Sequence, residues 1–239
     1  MRPLSLALLI VSLACPALAE ETPPADPAIA AVRLAAANLT PEQQQILIDV
    51  FTVQRATTSA QGTFIHTTRQ VDDAEADATV RHGRFALERP KKYFLELRNP
   101  KIADMRDVFA SDGVKRVKLE QFDAETTDIT ETAVEDGGGS EDLFRRILNL
   151  IQMQDPAAFK DFAFAPEATA DGARLVLTPR AGSEAAQQAK RIVIDLDRDQ
   201  RTRRIQFDDP QGNRVDVQIE EAVYDQPIPP ETFTQKPAP

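Results

Sequence analysis

Apolar and polar residues alternate with a period of two over much of the chain, a pattern typical of β-strands that bury one face. The run that contains Phe85 and Leu87 shows it clearly, because small or charged residues separate the large apolar ones. Asp112-Gly113 lies between two such runs and predicts a two-residue hairpin turn. The other apolar positions of the alternating runs are Tyr93, Leu95, Leu97, Val117, Leu119, Leu175, Leu177, Ile192, Ile194, Leu196, Ile205, Phe207, Val215, Val217 and Ile219.

A helix is predicted before these strands, from Pro41 to about Thr57-Thr58. Thr40 suits the N-cap, Pro41 the first helical position, and Gln43 can close a capping box. The apolar residues of this segment recur at helical spacing and form one stripe, which consists of Ile46, Leu47, Val50 and Phe51. A short helix is also expected in the alanine-rich residues 28–38.

A second amphipathic helix is predicted in the middle of the chain, after the three glycines at 137–139. Ser140 can cap it, and Glu141 and Asp142 suit the positive end of the helix dipole. Its apolar stripe consists of Leu143, Phe144, Ile147, Leu148 and Ile151. Strands and helices together predict a mainly β domain, in which one curved antiparallel sheet covers its apolar face by curling or with helices.

The start of the chain has the pattern of a secretory signal peptide. Arg2 supplies the positive charge, residues 4–13 are almost wholly apolar, and Ala17-Leu18-Ala19 has the small-x-small pattern that precedes a cleavage site. An apolar run of about ten residues is too short to cross a bilayer as a helix. We expect cleavage after Ala19 and an exported product that begins at Glu20.

Cys15 is the only cysteine of the chain. It could be the lipidated residue of a lipoprotein, or an ordinary signal-peptide residue that is lost on cleavage. Lipoprotein signals favour leucine three residues earlier, where this chain has Ser12, and this difference favours the second interpretation. The mature protein would then contain no disulfide, thiol nucleophile or thiolate metal site.

The composition along the chain predicts four parts. Residues 1–19 are the signal peptide, and residues 20–38 are an acidic segment rich in proline and alanine. Residues 39–234 are expected to form one domain, because no second linker-like stretch interrupts them. Residues 235–239 form a proline-rich tail that is expected to be loose.

The charge of the chain excludes some classes of partner. Acidic residues outnumber basic ones by 38 to 28, and the formal net charge is −10. Nucleic-acid binding needs a clustered positive field, so this balance argues against it. It also argues against electrostatic adsorption to anionic lipid headgroups. It does not exclude burial of an acyl chain, which is an apolar interaction.

Candidate catalytic and metal-binding residues are few. No Ser-His-Asp or Cys-His grouping has motif support, and the glycines at 137–139 lack the lysine of a phosphate-binding loop. His66 and His82 could share a metal ion, but a zinc site needs three or four ligands. We therefore expect two ordinary surface or strand-end histidines, no enzyme activity and no cofactor.

Three alternating aspartates resemble the start of a calcium-binding loop. They are Asp195, Asp197 and Asp199. A calcium loop needs glycine at its sixth position and glutamate at its twelfth, where this chain has Gln200 and Gln206. A polar hairpin turn explains the three aspartates better, so we expect no metal site.

Short stretches between Gln61 and Phe233 follow one another in the order found in a known family. They are Gln61-Gly62-Thr63-Phe64, residues 83–90, residues 94–100, Ser111-Asp112-Gly113, Leu177-Thr178-Pro179, residues 209–213 and residues 228–233. Together with the signal peptide and the central helix, they make the chain resemble the LolA-type outer-membrane lipoprotein carriers of Gram-negative bacteria.

This resemblance implies an incomplete, strongly curved antiparallel β-barrel, a half-barrel covered by amphipathic helices, whose apolar interior accepts acyl chains of lipoproteins or of another lipid. It also implies a periplasmic location, and as partners an inner-membrane release complex and an outer-membrane acceptor. We expect a monomer. Arg89, just before Pro90, matches the arginine that bonds the backbone of the helical lid in the closed, empty state of the family. The residues alone fit a surface arginine before a turn equally well.

The resemblance makes the inward apolar residues candidates for a lipid cavity, although their periodicity fits a packed core equally well. These residues are Phe64, Phe85, Leu87, Leu95, Leu97, Ile46, Val50, Phe51, Leu143, Phe144, Ile147, Leu148 and Ile151. The leading hypothesis is a non-enzymatic carrier of lipid or lipoprotein. The alternative is an envelope sensor or scaffold that binds a protein or peptide with the same fold and transports nothing.

Overall fold

The computed structural model of the chain describes residues 27–70, 78–123, 125–133 and 160–234. These residues form eleven antiparallel strands of a single sheet, most of them from the alternating runs. The strands are β1 (Ser59–Arg69), β2 (Thr79–Glu88), β3 (Lys92–Arg98), β4 (Arg106–Asp112), β5 (Lys115–Gln121), β6 (Thr127–Ala133), β7 (Phe162–Thr169), β8 (Gly172–Pro179), β9 (Arg191–Asp197), β10 (Thr202–Asp208) and β11 (Arg214–Tyr224).

Strand β1 lies in the middle of the sheet and joins two meanders. Strands β2 to β6 follow it on one side in chain order, and β11 to β7 lie on its other side in reverse order. Among the described strands, the two edges β6 and β7 do not pair with each other, so the sheet stays open. This confirms the predicted fold class, a mainly β half-barrel of antiparallel strands.

The hairpin between β4 and β5 is confirmed at Asp112-Gly113. Gly113 has φ of +96°, a region that only glycine enters readily. The Asp112 carboxylate accepts hydrogen bonds from the backbone N–H groups of Val114 and Lys115, both at 2.8 Å. These two bonds hold the pKa of Asp112 below its ordinary value, and they fix the turn that sets the register of the two strands.

The sequence pattern did not reveal β7. Its buried residues Phe162, Phe164 and Pro166 alternate with exposed residues, but two of the exposed residues are alanines, which conceal the period of two. A proline removes a backbone donor and is tolerated in a sheet mainly at an edge. Pro166 is consistent with that rule, because β7 is an edge strand.

The predicted first long helix is confirmed as α2 (Pro41–Ala56). The Thr40 hydroxyl accepts from the backbone N–H of Gln43, and the Gln43 side chain accepts from the backbone N–H of Thr40. This capping box pairs two donors that a helix start otherwise leaves unsatisfied. A shorter helix, α1 (Pro27–Ala35), precedes it, and the short α3 (Glu184–Gln188) between β8 and β9 was not predicted.

The larger core lies between α1, α2 and the strands β7 to β10. Leu47, Val50 and Phe51 of α2 are buried in it, and so are Val32 of α1 and Ala36 just after it. The core thus includes residues from the segment 20–38, which lies before the domain boundary that the sequence suggested. Truncating a buried phenylalanine such as Phe51 typically costs about 3–5 kcal/mol, so this stripe anchors the helix to the sheet.

A second apolar cluster lies on the opposite face of the other half of the sheet. Ile228 and Phe233, from the segment after β11 and its 3-10 turn (Pro230–Phe233), cover it. The strand residues beneath them are Ala86, Phe94, Val108, Ala110 and Leu119. The helix-covered half of the sheet thus buries its core on one face, and the other half buries this second cluster on the opposite face.

Candidate functional site

We call the side of the sheet that α1 and α2 cover the inner face. Residues directly opposite each other on neighbouring strands point to the same side, so the register of the pairs identifies this face across the sheet. Phe64 lies opposite Gly83 of β2 and Ile219 of β11, and Phe85 lies opposite Leu95. All five predicted cavity residues of the strands share the inner face, namely Phe64, Phe85, Leu87, Leu95 and Leu97.

The predicted cavity residues of α2 belong to a different part of that face. Val50 and Phe51 are buried in the core with β7 to β10, and Ile46 packs against it. They therefore serve the helix-covered half, whereas the strand residues form the neighbouring half on β1 to β4. The predicted helix residues Leu143, Phe144, Ile147, Leu148 and Ile151 lie outside the described residues, as do Ala17 and Ala19 of the predicted cleavage site.

The inner face of β2 to β4 is apolar but only partly covered. Phe85, Leu87 and Leu97 are half-buried, and so are Tyr93 and Phe109, which continue the surface toward β5. Apolar residues of a finished protein core are usually buried almost completely. A row of large half-buried apolar side chains on one face of an open sheet is suited to an apolar ligand.

Phe64 and Phe85 form the centre of this apolar surface. Their ring centroids are 6.3 Å apart with the planes tilted by 52°, a favourable aromatic arrangement. The Phe64 ring lies over Gly83, where a Cβ atom would come within 2.1 Å of its Cζ atom. The absence of a side chain at position 83 thus makes room for the buried ring of Phe64.

Polar side chains border the apolar surface near the starts of β2 and β4, which lie at the same end of the sheet. Arg81 and Asp107 form an ion pair with 2.5 Å between Nη1 and Oδ2. His66 lies directly opposite Arg81 on β1 and faces the same side. Burial lowers the pKa of His66, and the positive charge of Arg81 lowers it further.

This pKa shift predicts a pH dependence of stability. The unfolded chain binds a proton at His66 near pH 6.5 and the folded protein only at lower pH, so stability from this group falls as the pH drops below 6.5. Well above pH 6.5 the imidazole is neutral in both states and the effect vanishes. A titration of the folded protein followed by NMR should place the His66 midpoint below 6.5, and a midpoint at or above 6.5 would contradict this account.

Arg89 connects the end of β2 to the end of α2. Its Nε atom donates to the carbonyl oxygen of Thr57 and its Nη2 atom to that of Gln54, both at 2.7 Å. Both carbonyls lie in the last turn of the helix or just after it, where backbone acceptors lack helical partners and a positive charge is favoured. Burial lowers the pKa of Arg89, and the charge of Arg55 adds to this, but an arginine remains protonated.

A second arginine, Arg201, contacts the same helix end from the hairpin between β9 and β10. Its guanidinium hydrogen-bonds the Thr57 hydroxyl, pairs with Asp225 at 3.5 Å and lies 4.5 Å above the Tyr224 ring. The Asp225 carboxylate also accepts from the backbone N–H of Thr58 at 2.7 Å. No sequence pattern predicts this arrangement, because its members are far apart along the chain.

The outer face carries a charged cluster around Glu96, whose side chain is only 2% exposed. Arg84, Arg98 and Arg106 surround its carboxylate at 2.6, 2.8 and 3.5 Å. Burial alone would raise the pKa of Glu96, but the hydrogen bonds from Arg98 and Arg84 outweigh it and hold the pKa below its ordinary value. Sequence reasoning missed this cluster, since a glutamate in an alternating strand suggests a solvated side chain.

The residues considered for metal binding do not come together. His66 and His82 lie on neighbouring strands but on opposite faces, because His82 pairs with Ile65. Asp195 pairs with Arg174 at 2.6 Å, while Asp197 accepts backbone N–H bonds that shape the hairpin turn. Within the described ranges, no cluster of three histidine, cysteine, aspartate or glutamate residues could hold a metal ion.

The geometry defines a class of protein: an open antiparallel half-barrel, helix-covered on one half of its inner face and partly exposed and apolar on the other. The sequence profile of the family "Outer membrane lipoprotein carrier protein LolA" matches residues 55–236. The chain therefore belongs to the LolA family, as the resemblance indicated. No curated protein matches it.

Several solved structures are similar in fold to this chain. A putative outer membrane lipoprotein-sorting protein domain from Vibrio parahaemolyticus is 9% identical, with TM-score 0.40, over 79% of this chain and 94% of that one. LprF from Mycobacterium bovis is 13% identical, with TM-score 0.44, over 80% and 96%. The MucA/MucB complex of Pseudomonas aeruginosa contributes a chain that is 14% identical, with TM-score 0.37, over 80% and 60%. Since all these TM-scores are below 0.5, the family assignment rests on the sequence match.

None of the helices in the described ranges combines the length and the hydropathy that crossing a membrane requires.

Proposed function

We propose that this protein is a periplasmic carrier that binds the acyl chains of a lipoprotein, or of another lipid, on the inner face of its half-barrel and moves them toward the outer membrane. The observation that carries this proposal is the row of half-buried apolar side chains on β2 to β4, beside a half that is already covered by helices. Membership of the lipoprotein-carrier family supports the same function.

Burial of an acyl chain supplies enough free energy for such a role. Removal of apolar surface from water contributes roughly 25 cal/mol per Å². One acyl chain that buries a few hundred Å² therefore gains on the order of 5–10 kcal/mol before the entropic costs of binding are subtracted. The net affinity is then moderate, which suits a carrier that must also release its cargo.

The remaining parts of the proposal follow from the export signal and the family. The signal peptide is removed after Ala19, the mature protein acts as a monomer without enzyme activity, and it receives cargo from an inner-membrane release complex and delivers it to an outer-membrane acceptor. Arg89 is proposed as the latch of the empty state, because its contacts fix the end of α2 beside the apolar inner face.

Replacing Phe85 with glutamate should weaken binding of diphenylhexatriene, a hydrocarbon probe that fluoresces in apolar surroundings, by at least about tenfold. The reason is that a carboxylate in the centre of the apolar face must lose water when the probe binds. Titration of wild-type and variant protein, with circular dichroism to confirm folding, measures this effect.

Val223→Glu is the matched control, since Val223 is 53% exposed and faces the outer side of β11. It introduces the same charge and should leave probe binding within about twofold of wild type. The proposed acyl-binding cavity would be contradicted if the Phe85 variant bound diphenylhexatriene as well as wild type does, or if wild type did not bind it. A wild type that binds a protein or peptide but no lipid would favour the sensor or scaffold.

A further inference from the structure

His66 occupies a particular place on the inner face. It lies next to Phe64 along β1 and opposite Arg81 and Val217 on the two neighbouring strands. Phe64 begins the apolar surface on β1 to β4, whereas Val217 is on the side of the helix-covered core. His66 is thus a polar side chain at the border of the proposed acyl-binding surface.

The imidazole of His66 has an unsatisfied atom. Its Nδ1 is buried and has no hydrogen-bond partner among the described residues. A buried polar atom without a partner is unfavourable, so a ligand that brings a hydrogen-bonding group to this atom gains free energy that a pure hydrocarbon does not. Because burial keeps the ring neutral, it can accept or donate one hydrogen bond without adding charge.

The charged side chains of β2, β4 and β5 at this end of the inner face are paired with one another. Arg81 is paired with Asp107, and on β5 Lys118 pairs with Glu120 at 3.0 Å. These four residues share the inner face and contribute no net charge. An anionic headgroup would therefore have to compete with an existing ion pair, whereas an uncharged polar group would not.

We propose that His66 is a recognition site for an uncharged hydrogen-bonding group, such as a hydroxyl, ester or amide, that joins the polar part of an acylated ligand to its chain. This inference rests on the proposed carrier function and deepens it. It sets the direction of the ligand: the acyl chain lies toward Phe85 and Leu95, and the polar junction lies at His66.

The chain offers its own internal control, because it contains only two histidines. His82 is adjacent in register but faces the outer side of the sheet. Long-range nitrogen–proton NMR spectra of ¹⁵N-histidine-labelled protein should show two imidazoles, and assignment with His82→Phe separates them. Addition of 1-decanoylglycerol should shift the Nδ1 resonance of His66 and leave the resonances of His82 in place.

Binding affinities test the same inference independently. Displacement of diphenylhexatriene measures the affinities of 1-decanoylglycerol and decyl phosphate. We expect wild type to prefer 1-decanoylglycerol, and His66→Phe to weaken its binding by about 3- to 10-fold, the effect of one hydrogen bond. Diphenylhexatriene itself should bind His66→Phe and His82→Phe within about twofold of wild type, because it has no polar group.

The outcomes separate the two claims. Suppose that diphenylhexatriene binds, but 1-decanoylglycerol does not shift the His66 resonance and His66→Phe does not weaken its binding. The proposed recognition role of His66 is then wrong, while the proposed apolar cavity is retained. If wild type prefers decyl phosphate and His66→Phe loses this preference, the proposal that His66 recognises an uncharged group is wrong. If wild-type protein binds neither compound, the carrier function fails and the recognition site fails with it.

Discussion

Replacing Arg89 with leucine should lower the free energy of unfolding of the empty protein by about 2–4 kcal/mol, or roughly 5–15 °C in Tm. The side chain donates two short hydrogen bonds from a charged group to the carbonyls of Gln54 and Thr57. Leucine leaves these half-buried acceptors without that partner. Thermal unfolding of delipidated wild-type and variant protein measures the difference.

The same substitution should have the opposite effect on cargo. If the bonds of Arg89 hold α2 in the empty arrangement, their loss favours the cargo-bound state by population shift. Loaded protein should then accumulate, and transfer of cargo to acceptor membranes should slow. Arg89→Lys should fall between wild type and the leucine variant, because a single ammonium group cannot reproduce the planar fork that reaches both carbonyls.

Lys91 provides a matched control for the charge. It is exposed and lies two residues further along the chain, so Lys91→Leu removes a cation without touching α2. Its effect on stability should stay within about 0.5 kcal/mol, as is usual at the surface. The proposed latch role of Arg89 is wrong if Arg89→Leu has the same effect as Lys91→Leu on both the free energy of unfolding and the transfer of cargo.

Gly83→Ala should destabilise the protein by about 2–3 kcal/mol, near the upper end of the usual cost of overpacking. The added methyl group would lie 2.1 Å from the Phe64 ring, and that ring is 3% exposed and cannot leave easily. Replacing the Phe64 ring with the smaller side chain of leucine should relieve the clash. The double variant Gly83→Ala, Phe64→Leu should therefore be more stable than the sum of the two single changes predicts.

Urea unfolding of wild type, both single variants and the double variant gives the interaction energy. We expect a favourable coupling of at least about 1 kcal/mol, since the two residues are in direct contact. Additivity within about 0.5 kcal/mol would show that Phe64 does not occupy the space above Gly83 in solution, and the description of the apolar surface would have to change.

The local elements of this fold can be predicted from the sequence. The capping box at Thr40 and Gln43 and the hairpin at Asp112-Gly113 involve residues within a few positions of each other, so their structure follows from local chemistry. The alternation at Phe85 to Leu97 likewise predicts one shared face. It does not predict which face α2 covers, and so the sequence could not separate the α2 residues from the strand residues of the proposed cavity.

The features that sequence reasoning missed depend on distant pairs. Glu96 is buried only because Arg84, Arg98 and Arg106 arrive from neighbouring positions of three strands. Arg201 reaches Thr57 across more than half of the described chain, because only β11 separates β10 from β1 in the sheet. Arg89 was identified through the family resemblance alone, since an arginine before a proline is uninformative by itself.

Native mass spectrometry of protein purified from the periplasm tests the central claim most directly. The account predicts a chain that begins at Glu20 and carries a non-covalent adduct with the mass of an acylated molecule, and an organic extract should contain that molecule. The adduct should be absent from the folded Phe85→Glu variant and present in Val223→Glu. The carrier function would be contradicted if the wild-type protein carried no acylated molecule and the Arg89→Leu variant, which should retain cargo, carried none either.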